Sequence, residues 1–186
     1  MSQVELEEIK QVYQEADQLF STEEVDQAIS RMAAAISARL GDQNPVVFCV
    51  MNGGLVITGQ LLTRLDFPLE ASYLHATRYR NTTSGHSLEW KVPPMSAFRG
   101  RPVLVVDDIL DEGHTLVEIM EHCRHEGASE VYAAVLIDKR HDRKARPGLK
   151  ADFTGLEIED RYIFGYGMDY KGYWRNAPGI FAVKGL

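Results

Sequence analysis

The chain has 186 residues, of which 45% are hydrophobic and 25% are charged, and its formal net charge is −7. This length suits one domain with a sizeable core, and the acidic balance argues against nucleic acid or an anionic membrane as a partner. No apolar run is long enough to span a bilayer, and the first residues have an acidic helical pattern rather than that of a secretory signal. Cys49 and Cys123 lie in apolar patterns without metal-ligand spacing, so we expect free thiols in a cytoplasmic protein.

Residues 1–44 are predicted to form a helical layer with a packing role. Residues 2–20 are acidic with a helical pattern, and residues 21–24 (STEE) form a capping box that starts a second helix. Gly41 is predicted to end that helix. Its apolar face, at helical spacing, consists of Val25, Ala28, Ile29, Met32, Ala35 and Ile36.

Apolar runs alternate with helical patterns along the rest of the chain. The run at residues 45–51 ends in Asn52-Gly53-Gly54, and a helix is predicted at residues 55–65. The alternation predicts an α/β fold, with a parallel sheet covered by helices on both faces. The polar residues 80–89 are either a surface loop or a mobile lid. Further strands are predicted at residues 69–79, 90–92, 131–137, 152–158 and 179–183.

Residues 103–116 (VLVVDDILDEGHTL) contain the densest chemistry of the chain. Four apolar residues run into Asp107 and Asp108, and a helical pattern begins at Leu116 after Gly113. This pattern predicts a buried strand, a loop at its carboxyl end and a helix. Open α/β sheets bind ligands at that edge, so we expect a ligand site in this loop.

The loop combines two kinds of binding group. Gly113 and the start of the helix suit an anion such as phosphate, and Thr115 adds a hydroxyl donor. Asp107 and Asp108 suit a sugar diol or a hydrated Mg²⁺. The combination suggests a phosphorylated sugar with a metal. Solvated aspartates beside a capped helix would give the same short pattern. A phosphoacceptor domain also pairs aspartates with a later lysine, but its separate acceptor aspartate has no good counterpart here.

Two later segments bear on the same site. The strand predicted at residues 131–137 ends at Asp138-Lys139, and a basic loop is predicted at residues 140–150. Lys139 is either solvated or faces the same crevice as Asp107. Residues 162–170 are aromatic and glycine-rich, but they lack the third glycine and the strand–helix context of a dinucleotide-binding fingerprint.

Five blocks between about Val46 and Arg175 resemble the type I phosphoribosyltransferases, specifically the 6-oxopurine (hypoxanthine-guanine) group. In chain order they are VMNGG, the loop at Tyr79, VVDDILDEGHTL, LIDK, and FGYGMDY followed by Arg175. The resemblance implies a central mostly parallel sheet flanked by helices, with a small hood formed by the chain ends. It implies one domain, with a helical layer (1–44), a core that carries the phosphate loop (45–140) and a base-binding hood segment (141–186).

The resemblance also implies an activity. The phosphoribosyl group of 5-phosphoribosyl pyrophosphate (PRPP) would pass to N9 of hypoxanthine or guanine, giving IMP or GMP and pyrophosphate. Mg²⁺ would be the cofactor, held by Asp107, Asp108 and Asp169. PRPP and a free purine base would be the partners, and the expected assembly is a homodimer or homotetramer.

The site residues that the resemblance implies fall into two groups. For the base, Lys139 would donate to O6, Tyr162 would stack, Ile163 would bond through its backbone, and Asp169 would lie beside them. Asp111 would be catalytic, accepting or holding the N7 proton. Members of the family often have a non-proline cis peptide in the first loop. The residues implied for PRPP are Asn52, Gly53, Tyr79, Asp107, Asp108, Asp111, Glu112, Gly113, His114, Thr115 and Arg175.

Three positions depart from the family pattern. Glu112 stands where serine or threonine is usual, Asn52 replaces a frequent lysine or arginine, and Arg78 stands where serine is common. These departures leave base preference and PRPP affinity open. Two alternatives also stay open: a regulator of the same fold that binds nucleic acid, and an enzyme for another base such as xanthine. The acidic charge and the presence of the carboxylates and lysine assigned to the base weigh against the regulator.

Overall fold

The structure is a computed structural model that describes residues 3–78, 88–95 and 97–186. Its helices are α1 (Gln3–Glu15), α2 (Thr22–Leu40), α3 (Leu55–Leu62) and α4 (His114–His125). Its strands are β1 (Asp17–Ser21), β2 (Val46–Val50), β3 (Glu70–Arg78), β4 (Leu88–Val92), β5 (Pro102–Leu110), β6 (Glu130–Arg140), β7 (Phe153–Glu159), β8 (Ile163–Phe164) and β9 (Gly179–Ala182). Within these ranges, none of the helices is long and apolar enough to cross a membrane.

The main sheet has six strands in the order β4-β3-β2-β5-β6-β7. Only β4 runs antiparallel to its neighbour. Every residue of β2 is buried, because α2 and α3 cover one face of the sheet and α4 covers the other. Strands buried on both faces explain the continuous apolar runs of the sequence. The predicted α/β fold with a central, mostly parallel sheet is confirmed.

The strands β5 and β6 extend further than the sequence pattern predicted. β5 continues to Leu110, which pairs with Asp138 of β6, and β6 continues to Arg140. Asp107 and Asp108 therefore belong to a strand, and the prediction that they lie in a loop is wrong. Carboxylates are poor strand formers, but ladder pairing with a neighbouring strand overrides this weak local preference.

A second sheet has three strands in the order β1-β9-β8, so it joins the two ends of the chain. It is the small hood that the family resemblance implied. The prediction of one helix over residues 2–20 is wrong, because α1 ends at Glu15 and residues 17–21 pair with β9. The indole N–H of Trp174 donates to the carbonyl of Ile9 at 2.7 Å, which fastens α1 to the hood. The three-part division of the domain stays a prediction.

Helix α2 has the predicted capping box, formed by Ser21 and Glu24, and it is followed by Gly41. Its buried face includes Ala33, whereas the predicted Ala35 is exposed. Helix α3 ends at Leu62, three residues before the predicted end. Both cysteines are buried free thiols, as predicted.

Candidate active site

Two adjoining cavities open at the carboxyl edge of the main sheet. The larger has a volume of about 630 Å³ and the smaller of about 220 Å³. Both are lined by Asp108, Ile109, Asp111 and Asp169. A ligand with two parts, one in each cavity, would therefore have the carboxylates of Asp108, Asp111 and Asp169 at its junction.

The cavities bring together the residues that the sequence singled out, except Tyr79, which lies outside the described residues. Ile109 and Met168 also line the cavities, although the sequence assigned them no role within the blocks that contain them. The larger cavity is lined by Asn52, Gly53, Asp107, Asp108, Asp111, Glu112, Gly113, His114, Thr115, Asp169 and Arg175. The smaller adds Lys139, Tyr162 and Ile163.

The loop between β5 and α4 is built to expose backbone N–H groups. Gly113 is the N-cap of α4, with φ of 83° and no side-chain cap. A Cβ at this position would lie 2.5 Å from Leu149 and 2.6 Å from Leu110. Only glycine fits, and the uncapped helix start is free to bind an anion. Because α4 begins at His114, the predicted start at Leu116 is two residues late.

Asp107 and Asp108 form a poorly solvated pair of carboxyl groups. Burial raises the pKa of Asp107 well above its ordinary value, and repulsion from Asp108 adds to the shift. Burial also raises the pKa of Asp108, partly offset by the hydrogen bond with Asp107 and by the positive charge of Arg175. Such a pair is stabilised by a cation.

The donor set around this pair fits Mg²⁺. Carboxylate oxygens are its preferred protein ligands, and Asp107, Asp108 and Asp169 line one cavity. A second group with close ligand atoms comprises Asp111, His141 and Asp160. That group already surrounds a cation, because the ammonium of Lys139 lies 3.2 Å from Asp111 and 3.8 Å from Asp160.

The first loop, which connects β2 to α3 (residues 51–54), meets the hood segment at two glycines, Gly53 and Gly167. The peptide bond between Met51 and Asn52 is cis, as the family resemblance implied. A Cβ at Gly53 would lie 2.1 Å from Oδ2 of Asp108, and one at Gly167 would lie 2.1 Å from the carbonyl oxygen of Gly53. Both glycines are required by close approach, so the first loop, the β5 carboxylate and the hood segment form one packed unit.

Arg175 links the hood to the carboxylates. It donates to the carbonyl of Gly167 at 2.6 Å and pairs with Asp169 at 2.5 Å. Its guanidinium also lies 4.0 Å from Asp108. The side chain predicted to meet pyrophosphate thus supplies positive charge in the larger cavity.

Lys139 is buried on β6 and faces the smaller cavity. Its burial shows that the solvated alternative is wrong, and the cavity that it faces adjoins the one that Asp107 lines. Its ammonium donates to Oδ2 of Asp111. Tyr162 is 44% exposed, which leaves its ring accessible beside the cavity, and Ile163 is held by pairing with Ala182 of β9.

His141 contacts Asp111, although the sequence did not predict it as a site residue. Its Nε2 lies 2.7 Å from Oδ1 of Asp111. The one available signal was its two-residue spacing from Lys139, which places alternate residues on the same side of a strand. Asp111 does not cap α4, because the N-cap of that helix is Gly113 and no side chain caps it.

Four of the five lysine and arginine side chains at residues 140–150 pair with acidic side chains of the same chain. Lys144 also donates to the carbonyls of Leu110 and Asp111, at 2.8 Å each, and so supports the loop between β5 and α4. The pairs are Arg140–Glu157, Arg143–Asp160, Lys144–Asp138 and Arg146–Glu121.

Comparisons with known proteins agree with this geometry. Residues 15–171 match the family described as the phosphoribosyl transferase domain. The chain is 32% identical over 166 residues to a hypoxanthine-guanine-xanthine phosphoribosyltransferase of Tritrichomonas foetus, covering 89% of this chain and 90% of the relative. It is 31% identical over 167 residues to a hypoxanthine-guanine phosphoribosyltransferase of Bacillus subtilis, covering 89% and 92%.

A solved structure gives the same result for the fold. The crystal structure of a hypoxanthine-guanine phosphoribosyltransferase from Bacillus anthracis superposes with a TM-score of 0.81 at 26% identity. The match covers 90% of this chain and 96% of that one. The chain therefore belongs to the phosphoribosyltransferase family, in the hypoxanthine-guanine group that its sequence motifs resemble.

Proposed function

We propose that this protein is a purine salvage enzyme that transfers the phosphoribosyl group of PRPP to hypoxanthine or guanine, giving IMP or GMP and pyrophosphate. The observation that carries the proposal is the pairing of Lys139 with Asp111, 3.2 Å apart, beside the larger cavity with its phosphate loop. A lysine donor suits an oxygen at position 6 of a purine, and a carboxylate suits a protonated N7. The names of the relatives support the same substrates.

The two cavities suggest how the substrates bind. The start of α4 would hold the 5-phosphate through backbone N–H groups, and Asp107 and Asp108 would hold the ribose hydroxyls. The first loop, with Asn52 and Gly53, would present further N–H groups to pyrophosphate. The base would enter the smaller cavity, where Tyr162 would stack on it.

The reaction requires stabilisation of two charges. Positive charge develops at C1 of the ribose as pyrophosphate leaves, and Arg175 would pair with the departing anion. Asp111 would accept the N7 proton, which makes N9 a better nucleophile. When bound by Asp107, Asp108 and Asp169, Mg²⁺ would supply positive charge at the leaving group.

The working environment follows from the same proposal. We propose a cytoplasmic enzyme, since PRPP and free bases are small polar metabolites and both thiols are unpaired. We also propose assembly as a homodimer or homotetramer. Sedimentation at several protein concentrations would test the assembly.

A panel of free bases with PRPP and Mg²⁺ tests the activity. We expect nucleotide formation from hypoxanthine and guanine, and none from adenine, because adenine has an amine where Lys139 would meet an oxygen. Xanthine belongs in the panel, since the relative from Tritrichomonas foetus is named for it. Product would be followed by chromatography, with metal-free buffer as the control. Turnover of adenine at the rate of hypoxanthine would contradict the 6-oxopurine assignment.

The variant Lys139→Ala tests the base site. Loss of a charged hydrogen bond in a desolvated pocket costs about 1.5–3 kcal/mol, so base affinity is expected to fall about 10- to 100-fold. PRPP affinity should change little, because the lysine faces the smaller cavity. Calorimetry with each ligand separates the two effects, and Lys184→Ala, at an exposed lysine, is the control. An equal loss of PRPP affinity would reassign Lys139 to the phosphate side.

A further inference from the structure

His141 contacts the residue to which we assign the proton transfer, yet it lies outside the motifs that identify the site. It follows the last residue of β6, and its side chain is only 3% exposed. A buried imidazole at 2.7 Å from a carboxylate oxygen forms a strong hydrogen bond, which restricts the orientation of the Asp111 carboxylate.

The surroundings of the ring indicate which nitrogen carries the proton. The backbone N–H of Arg143 donates to Nδ1 of His141 at 3.1 Å. Because Nδ1 accepts this bond, the neutral imidazole has its proton on Nε2. Nε2 therefore donates to Oδ1 of Asp111.

Asp111 thus receives one donor on each carboxylate oxygen. His141 donates to Oδ1, and Lys139 donates to Oδ2 at 3.2 Å. Two donors on two oxygens fix the plane of the group, while 44% of the side chain stays exposed to a ligand. Each carboxylate oxygen has a second lone pair, which remains available to a substrate proton.

We propose that His141 is a positioning residue: its hydrogen bond orients the carboxylate of Asp111 so that this group can accept the N7 proton of the bound purine. The proposal rests on the proposed function and adds a residue to its machinery. The charged groups near Asp111 include Lys139, Arg143, Lys144 and Asp160. Burial raises the pKa of Asp111, but the hydrogen bond from His141 and the charge of Lys139 bring it below its ordinary value.

Kinetics of three variants test the proposal. His141→Phe keeps a ring but removes the donor, whereas His141→Gln offers an amide N–H. His125→Phe is the control, since that side chain is 87% exposed. We expect kcat of His141→Phe to fall about 10- to 100-fold, the usual effect of losing a hydrogen bond to a charged group. KM for PRPP should stay unchanged, and His141→Gln should recover part of the loss.

Two further readouts separate positioning from a structural role. Without the donor, the pKa of Asp111 should rise, so the acid limb of the pH profile should move to higher pH in His141→Phe. In an Asp111→Asn background, His141→Phe should cause little further loss, because the histidine acts through that carboxylate. Equal losses in the Phe and Gln variants, an unmoved acid limb, or additive losses would each overturn the proposal.

A spectroscopic test needs no activity. In ¹⁵N spectra of the histidine rings, the His141 signals are identified by their loss in His141→Phe or His141→Gln. We expect a protonated Nε2 and an unprotonated Nδ1, and a proton on Nδ1 alone would overturn the proposal. A wild-type protein that forms no nucleotide from any base would instead contradict the proposed function, and the spectrum would still decide the hydrogen bond.

Discussion

Replacement of Asp111 by asparagine is expected to lower kcat by about 10²–10⁴-fold, the usual contribution of a general base. Asparagine has nearly the same size, but it cannot accept a proton at neutral pH. Its amide nitrogen would also face a donor, since Lys139 and His141 each donate to one oxygen of the present carboxylate. Both effects act on the chemical step and on base orientation.

PRPP affinity and the fold should change little in Asp111→Asn. Rapid-mixing kinetics with radiolabelled base would measure the chemical step, and calorimetry would measure PRPP binding. The matched control is Asp142→Asn, at an exposed aspartate that follows His141. A wild-type chemical step in Asp111→Asn would leave Asp111 without a catalytic role. A capping role is already excluded, because the N-cap position of α4 is Gly113 and not Asp111.

Gly53→Ala is expected to remove most of the activity and to lower stability less than Gly167→Ala, whose added methyl group would meet backbone atoms. The new methyl group would lie 2.1 Å from Oδ2 of Asp108, so the carboxylate must move. The end of a side chain can shift at modest cost to folding. A displacement of about 1 Å in a binding group can nevertheless lower the rate by about 10²-fold. We expect PRPP affinity and kcat to fall together, measured by calorimetry and steady-state kinetics.

Two other glycines give matched comparisons. Gly59 lies in α3 with nothing within 4 Å of an added Cβ, so Gly59→Ala should stabilise the protein by about 0.5–1 kcal/mol and leave activity unchanged. Gly167→Ala would meet the backbone of Gly53 at a φ of 110°, so it should lose stability as well as activity. Thermal unfolding would rank the stabilities of the three glycine variants. Full activity in Gly53→Ala would show that Asp108 does not need its present position.

The chain pattern by itself was sufficient for the α/β fold class and for the loop that contains Gly113 and its carboxylates, whereas the other candidate site residues were implied by the family resemblance. The apolar run of β2 and the first residues of β5 are buried because both faces of the sheet are covered, and such burial requires continuous apolar sequence. The site motifs are equally local. Gly113 and the carboxylates of Asp107, Asp108 and Asp111 lie within one short segment, so their proximity does not depend on how distant parts of the chain fold.

Only the tertiary structure decided the contacts that depend on register between distant segments. Asp107 and Asp108 lie inside β5 because β6 continues the ladder beside them, which no pattern within β5 indicates. The pairing of residues 17–21 with β9 joins the chain ends, and His141 reaches Asp111 from 30 positions away. Secondary-structure patterns reflect neighbours within a few residues, whereas these contacts depend on strand pairing and packing across the whole chain.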